Sequence, residues 1–150
     1  MNQLLLVGKS LPDYVYKKLI AMADTYMSAL QLAINKGVTI ACGTDIITSG
    51  LKGAVPWGSN GKELAFYVEA GMTSLQAIQT ATANGSLSLG KQAPKSSLLA
   101  EGYDADIITL NENPLENINV LGEVDKIINV IKKGKIVKGN YFACFLSKKS

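Results

Sequence analysis

The chain of 150 residues contains no histidine and no arginine; its fifteen basic residues are all lysine. Each absence removes a class of function. Histidine is the usual general base near neutral pH and the commonest zinc ligand, so this chain by itself lacks the ordinary parts of a hydrolytic or metal centre. Arginine supplies the bidentate fork that reads phosphate and guanine, so no nucleic-acid partner is expected despite a net charge of +3, and the lysines read as a solvated surface. Cys42 and Cys144 are too few and too far apart for a disulfide framework or a four-ligand zinc site, and both are expected reduced and buried. No apolar run approaches the roughly 20 residues of a membrane-spanning helix, and residues 4–7 are too short for a signal-peptide core. The expectation is a cytoplasmic chain without a membrane partner.

What is present points to a globular fold. Hydrophobic residues make up 47% and charged residues 18%, which separates the chain from disordered sequences. Ser10 and Asp13 form a box-like helix start with Pro12 in the first turn, and Val15, Leu19, Met22, Tyr26, Leu30 and Ala33 follow at helical spacing until Gly37. Directly after it, residues 38–42 are apolar with hardly any alternation, as in a strand buried on both faces. Helix, short turn and buried strand predict an α/β unit with a parallel sheet. Residues 46–59 read as a long loop. Asn60, with Glu63 completing a capping box, opens a second helix with Leu64 and Val68 inward, closed by Gly71. Thr73 and Gln76 open a third with Leu75, Ile78 and Thr82 along one side, and Asn84 caps a short last turn ending at Gly90. Beyond it the pattern becomes strand-like at 107–110, 127–131 and 136–137, the last two joined in a hairpin through Gly134. A boundary is placed near residue 90. The apolar stretch 142–146 has no recognisable context.

Several motifs invite chemistry. Asp45 stands at the end of the strand, where parallel α/β folds meet their ligands. It is either a catalytic carboxylate or a turn residue satisfying local amides. Gly8-Lys9-Ser10 is not a phosphate loop, because Gln3 stands where the first glycine belongs, and Gly58-Ser59-Asn60-Gly61-Lys62 fails the same pattern at Pro56. The loop that ends there is either a mobile cover over a site, with Trp57 as an apolar wall, or a plain surface connection. Asp104 and Asp106 read as turn residues entering a strand.

Four stretches in order, VTIACGTD (38–45), NGKELAFYVEAGMTSLQAIQTATANGSLSLG (60–90), EGYDADIITLNENPLENINVL (101–121) and IINVIKKGKIVKG (127–139), resemble the C-terminal third of the metal-dependent amidohydrolase superfamily. The nearest branch holds imidazolonepropionase-like, Xaa-Pro dipeptidase-like and fungal ochratoxinase-like enzymes. The resemblance implies an incomplete α/β fold: residues 1–90 supply the last two units of a (β/α)8 barrel, and residues 91–150 supply strands of a small composite β-sandwich. It implies that Asp45 ends the eighth strand, contacts a zinc or other divalent ion, and carries a proton from the metal-bound water to the departing nitrogen of an amide or peptide-like substrate. Trp57 and Asn60 become candidates for the substrate loop, although Trp57-Gly58 stands where relatives carry histidine before the glycine, and tryptophan cannot ligate a metal. The family's remaining histidine and lysine ligands are expected upstream, so this chain alone is expected to bind no metal, and either to be a fragment of a longer product or to need a complementary N-terminal portion or further copies to be stable. The alternative is a non-catalytic domain or assembly partner that keeps the fold without the metal.

Overall fold

A computed structural model describes residues 12–44, 58 and 60–139. Ser10, Asp45, Trp57, the loop 46–57 and the tail 140–150 lie outside the described residues.

The first helix, α1 (Asp13–Asn35), follows from a run free of glycine and rich in Ala, Leu, Met and Lys, which lose little conformational freedom in a helix. Pro12 occupies the N-cap position without a side-chain cap, and Asp13 complements the positive end of the dipole. Gly37 ends the helix at φ 68°, with Gly37 N–H donating to the Ile34 carbonyl and Val38 N–H reaching back to Ala33, both at 3.0 Å. This is a Schellman stop, which glycine adopts without a Cβ penalty. The expected inward stripe holds only near the C-terminal end: Leu30 is buried, with Met27 and Ile34 packed beside it, whereas Met22 and Tyr26 are half exposed.

Residues 38–44 are extended but belong to no ladder, which corrects the expected sheet strand. Burial alternates along them. Ile40, Cys42 and Thr44 are half-buried, while Val38, Thr39, Ala41 and Gly43 are exposed, so one face is covered and the other open. The expectation of two buried faces failed because neighbouring helices pack on one side only.

A 3-10 turn, Asn60–Lys62, leads into α2 (Glu63–Glu69). The predicted box at Asn60 and Glu63 is not formed: Lys62 takes the N-cap position with no side-chain cap, because both polar side chains are engaged elsewhere. The box at Thr73 is formed. Gln76 N–H donates to Thr73 Oγ1 at 3.2 Å and Thr73 N–H to Gln76 Oε1 at 2.9 Å, opening α3 (Ser74–Ala81). Its buried face is Ala77 and Thr80; Leu75, expected inward, is exposed. At Thr82 the backbone breaks (φ −126°, ψ −99°) before α4 (Ala83–Leu89), so Asn84 lies inside that helix and caps nothing.

The second half carries a three-stranded antiparallel sheet in the order β1 (Ile107–Leu110), β2 (Ile127–Lys132), β3 (Lys135–Lys138). Ile107 pairs with Ile131, and Ile131 with Ile136, giving one apolar row across all three strands. Lys133 and Gly134 both have positive φ (49° and 74°), the conformation that lets a two-residue hairpin follow the strand twist. Asp106 fixes this turn by accepting from Lys133 N–H at 2.7 Å, the structural role expected of it.

Between β1 and β2 the chain returns to the helices. The 3-10 segment Ile118–Gly122 buries Ile118 and Val120, and Ile118 shares one core with Leu30, Leu64, Tyr67, Ala70 and Ala77. Burying each large aliphatic side chain contributes about 1.5–3 kcal/mol. Contact is closest at two glycines: a Cβ on Gly61 would lie 1.9 Å from the Leu121 carbonyl oxygen, and one on Gly122 would lie 2.6 Å from Lys62 Cγ.

Candidate functional site

Residues 38–44 lead into Asp45, and their surroundings form the candidate site. An extended segment without a partner strand must satisfy its polar backbone elsewhere. Here the helices do so at alternate positions. Cys42 N–H donates to the Thr80 carbonyl at 2.8 Å, a group in the last turn of α3 left free where that helix stops short of α4. Asn84 Nδ2, one turn further on, donates to the Ile40 carbonyl at 2.8 Å. Asn60 Nδ2 donates to Thr44 Oγ1 at 3.1 Å. The covered face of the segment is thus held at 40, 42 and 44.

Behind it lies a group of polar side chains that composition alone gave no reason to single out. Tyr26 of α1 donates its hydroxyl to Glu63 Oε1 of α2 at 3.3 Å. One turn along α2, Tyr67 is buried beside Cys42. Burial is the first cause of every shift here. It raises the Glu63 carboxyl above the ordinary carboxylate range, with the Tyr26 hydroxyl partly offsetting it. It raises the Cys42 thiol, again partly offset, by Tyr67. It drives the Tyr67 hydroxyl well above the usual phenol value, reinforced by Cys42, and raises Tyr26, reinforced by Glu63. At neutral pH Tyr67 and Cys42 are therefore uncharged, and Cys42 is not a thiolate nucleophile. The available signal was the i, i+4 spacing of Glu63 and Tyr67, which places them on one face of α2.

Of the residues singled out from sequence, Asn60 lies against Thr44, while Asp45 and Trp57 lie outside the described residues. Among the described residues no three His, Cys, Asp or Glu side chains come together to hold a metal ion. Among them, too, no helix is long and apolar enough to cross a membrane.

The amidohydrolase family profile matches residues 16–137. An ochratoxinase of Aspergillus niger is 48% identical over 133 residues, which are 88% of this chain and 26% of that protein. The crystal structure of A. niger ochratoxinase superposes with a TM-score of 0.72 at 44% identity, covering 91% of this chain and 30% of that one. A Xaa-Pro dipeptidase crystallised with methionine in its active site gives a TM-score of 0.72 at 31% identity, covering 91% of this chain and 32% of the other. The chain therefore spans about a quarter of the length of the curated relatives it matches.

Proposed function

The chain belongs to the amidohydrolase family, and from that premise we propose that it forms the C-terminal part of a metal-dependent hydrolase of amide or peptide-type carbon–nitrogen bonds, inactive by itself. The carrying observation is the 48% identity to an ochratoxinase, within a family match that runs through Gly43-Thr44-Asp45. In this reading residues 1–90 belong to a (β/α)8 barrel and residues 91–150 to a composite β-sandwich. The open face of residues 38–44, and their having no ladder partner among the described residues, support it, because a barrel strand takes ladder bonds from both neighbours.

Asp45 is assigned the proton transfer: its carboxylate takes a proton from the water that adds to the carbonyl carbon and returns it to the nitrogen as the carbon–nitrogen bond breaks. Trp57 forms an apolar wall beside a small amide or peptide-like substrate, and Asn60 stands at the end of the same loop. The family is generally metal-dependent. The donors of this chain do not fit such a centre unaided: histidine is missing, and no trio of acidic or thiol donors gathers among the described residues. The zinc or other divalent ion is assigned to ligands outside this chain, in a complementary N-terminal portion or another subunit, and no step is routed through it.

The same missing donors favour a second reading, a non-catalytic amidohydrolase-fold partner. Metal analysis and complementation separate the two. The isolated chain is expected to retain no stoichiometric zinc, and tightly bound zinc would refute the assignment of the ligands elsewhere. Supplied with an upstream portion bearing the missing histidines and lysine, it should hydrolyse amide substrates in a zinc-dependent manner; assembly without turnover would establish the non-catalytic reading.

A further inference from the structure

We propose that Asn60 is a site of spontaneous deamidation, and that the isoaspartyl linkage formed there releases the turn Asn60–Lys62 from the core as a one-way chemical switch. The proposal does not depend on the hydrolase reading above.

The chain contains two Asn-Gly pairs, Asn60-Gly61 and Asn84-Gly85. Asparagine is a thermolabile residue, and a following glycine has no Cβ to hinder ring closure. In the reaction the glycine amide nitrogen attacks the asparagine side-chain carbonyl carbon. The bond to the side-chain nitrogen breaks, and that nitrogen leaves as ammonia with the proton given up by the glycine amide. Water then opens the five-membered imide at either carbonyl. Opening at the side-chain carbonyl leaves an ordinary carboxylate side chain. Opening at the main-chain carbonyl leaves the backbone running through the former side chain, one methylene longer. Either way one water is consumed and one ammonia released.

The fold treats the two pairs differently. Asn84 is half-buried inside α4, its side-chain amide donates to the Ile40 carbonyl at 2.8 Å, and the attacking group, Gly85 N–H, donates to the Thr82 carbonyl at 3.1 Å. Asn60 is exposed and its amide donates to Thr44 Oγ1 at 3.1 Å. Among the described residues Gly61 N–H donates to no backbone carbonyl. Ring closure therefore breaks two hydrogen bonds at Asn84 and one at Asn60.

The consequence is also specific to Asn60. A Cβ on Gly61 would lie 1.9 Å from the Leu121 carbonyl oxygen, and one on Gly122 would lie 3.2 Å from Lys62 Cα. A turn this close to Ile118–Gly122 has no room for an extra main-chain methylene just before Gly61, so the isoaspartyl product must lift away. The ordinary carboxylate keeps the backbone length and can still accept from the Thr44 hydroxyl, so it leaves the turn in place.

Incubating the folded chain in mildly alkaline buffer, with peptide mass spectrometry and isoaspartyl methyltransferase labelling as readouts, tests both parts. Asn60 should convert about fivefold faster than Asn84, the difference expected of one net hydrogen bond, and the two rates should converge in urea. The isoaspartyl form should show faster amide exchange in α2 and in Ile118–Gly122. Asn60→Asp should exchange as the wild type does, and Asn60→Gln should keep the native pattern through the same incubation. Equal rates in native buffer, as in a chain that does not fold, or conversion of Asn84 first would overturn the assignment of the site. Native exchange in the isoaspartyl form, or equally fast exchange in Asn60→Asp, would overturn the switch.

Discussion

Replacing Gly61 by alanine adds one methyl group where the Leu121 carbonyl oxygen lies 1.9 Å and its carbon 2.4 Å from the new atom. The oxygen falls 1.5 Å short of the 3.4 Å at which ordinary contact begins, and both neighbours are backbone, so no side chain can swing aside. The turn Asn60–Lys62 must then retreat from the core. Overpacking of this kind costs about 1–3 kcal/mol, and losing the Asn60–Thr44 hydrogen bond adds about 1 kcal/mol. A total near 3 kcal/mol corresponds to a roughly hundredfold rise in local opening, read as faster amide exchange in α2 and in the segment Ile118–Gly122 by mass spectrometry. Gly85→Ala supplies the control: Gly85 lies within α4, has nothing within 4 Å of a new Cβ, and does not need positive φ. There alanine should stabilise by about 0.5–1 kcal/mol and slow exchange in α4. Gly122→Ala belongs between them, since its nearest obstacle is the movable Lys62 side chain, with the Lys62 backbone at 3.2 Å. Equal exchange in the Gly61→Ala and Gly85→Ala variants would refute the close-contact account.

Glu63→Gln should stabilise the chain at pH 7 by roughly a few tenths of a kcal/mol, a small figure because solvent screens a half-exposed group. The raised carboxyl contributes stability that is complete below its unfolded value and lost as pH rises through its folded one, so the advantage of glutamine should vanish near pH 4, as amide exchange at the two pH values will tell. Six tyrosines are present, and absorbance titration should find fewer than six ionising before the fold is lost in alkali. Tyr67, held above the ordinary phenol value, contributes stability below about pH 10 that is lost above it, and Tyr67→Phe should remove that part of the alkaline dependence. Asn84→Asp removes the donor to the Ile40 carbonyl and should accelerate exchange at Cys42 about fivefold; unchanged exchange would show that Thr80 suffices alone. In the complemented enzyme, Asp45→Asn should abolish hydrolysis with the fold intact, and undiminished turnover would remove Asp45 from the chemistry.

Features specified by neighbours in sequence were legible in the sequence. The Gly37 stop, the Thr73–Gln76 box, the three strands and the Lys133-Gly134 turn depend on residues a few positions apart, and each formed where expected. Features decided by tertiary contact were misread. Asn60, Glu63 and Asn84 carry capping chemistry, yet each spends its side chain on a residue far away: Thr44, Tyr26 and Ile40. Local propensity cannot register such competition. The run 38–42 was read as doubly buried because hydrophobicity reports what a residue tolerates, not how many layers cover it. Ile118 and Val120 stood in a stretch rich in asparagine and glutamate, without a periodicity to reveal that they close the core. For the candidate site, the resemblance singled out Asp45, whereas the polar group of Tyr26, Glu63, Tyr67 and Cys42 emerged only when three elements were seen together.

The hydrogen bond from Cys42 to the Thr80 carbonyl makes α3 a measuring rod. The helix is indexed at one end by the Thr73 box and read at the other by one carbonyl in its last turn. Inserting a single residue between them would turn that carbonyl by about 100° and carry it about 1.5 Å along the axis, away from Cys42. Substitutions on the exposed side of α3 leave this alignment untouched, whereas any change in its length destroys it. The exposed side of α3 is thus free to drift in composition, whereas the helix is not free to gain or lose a residue.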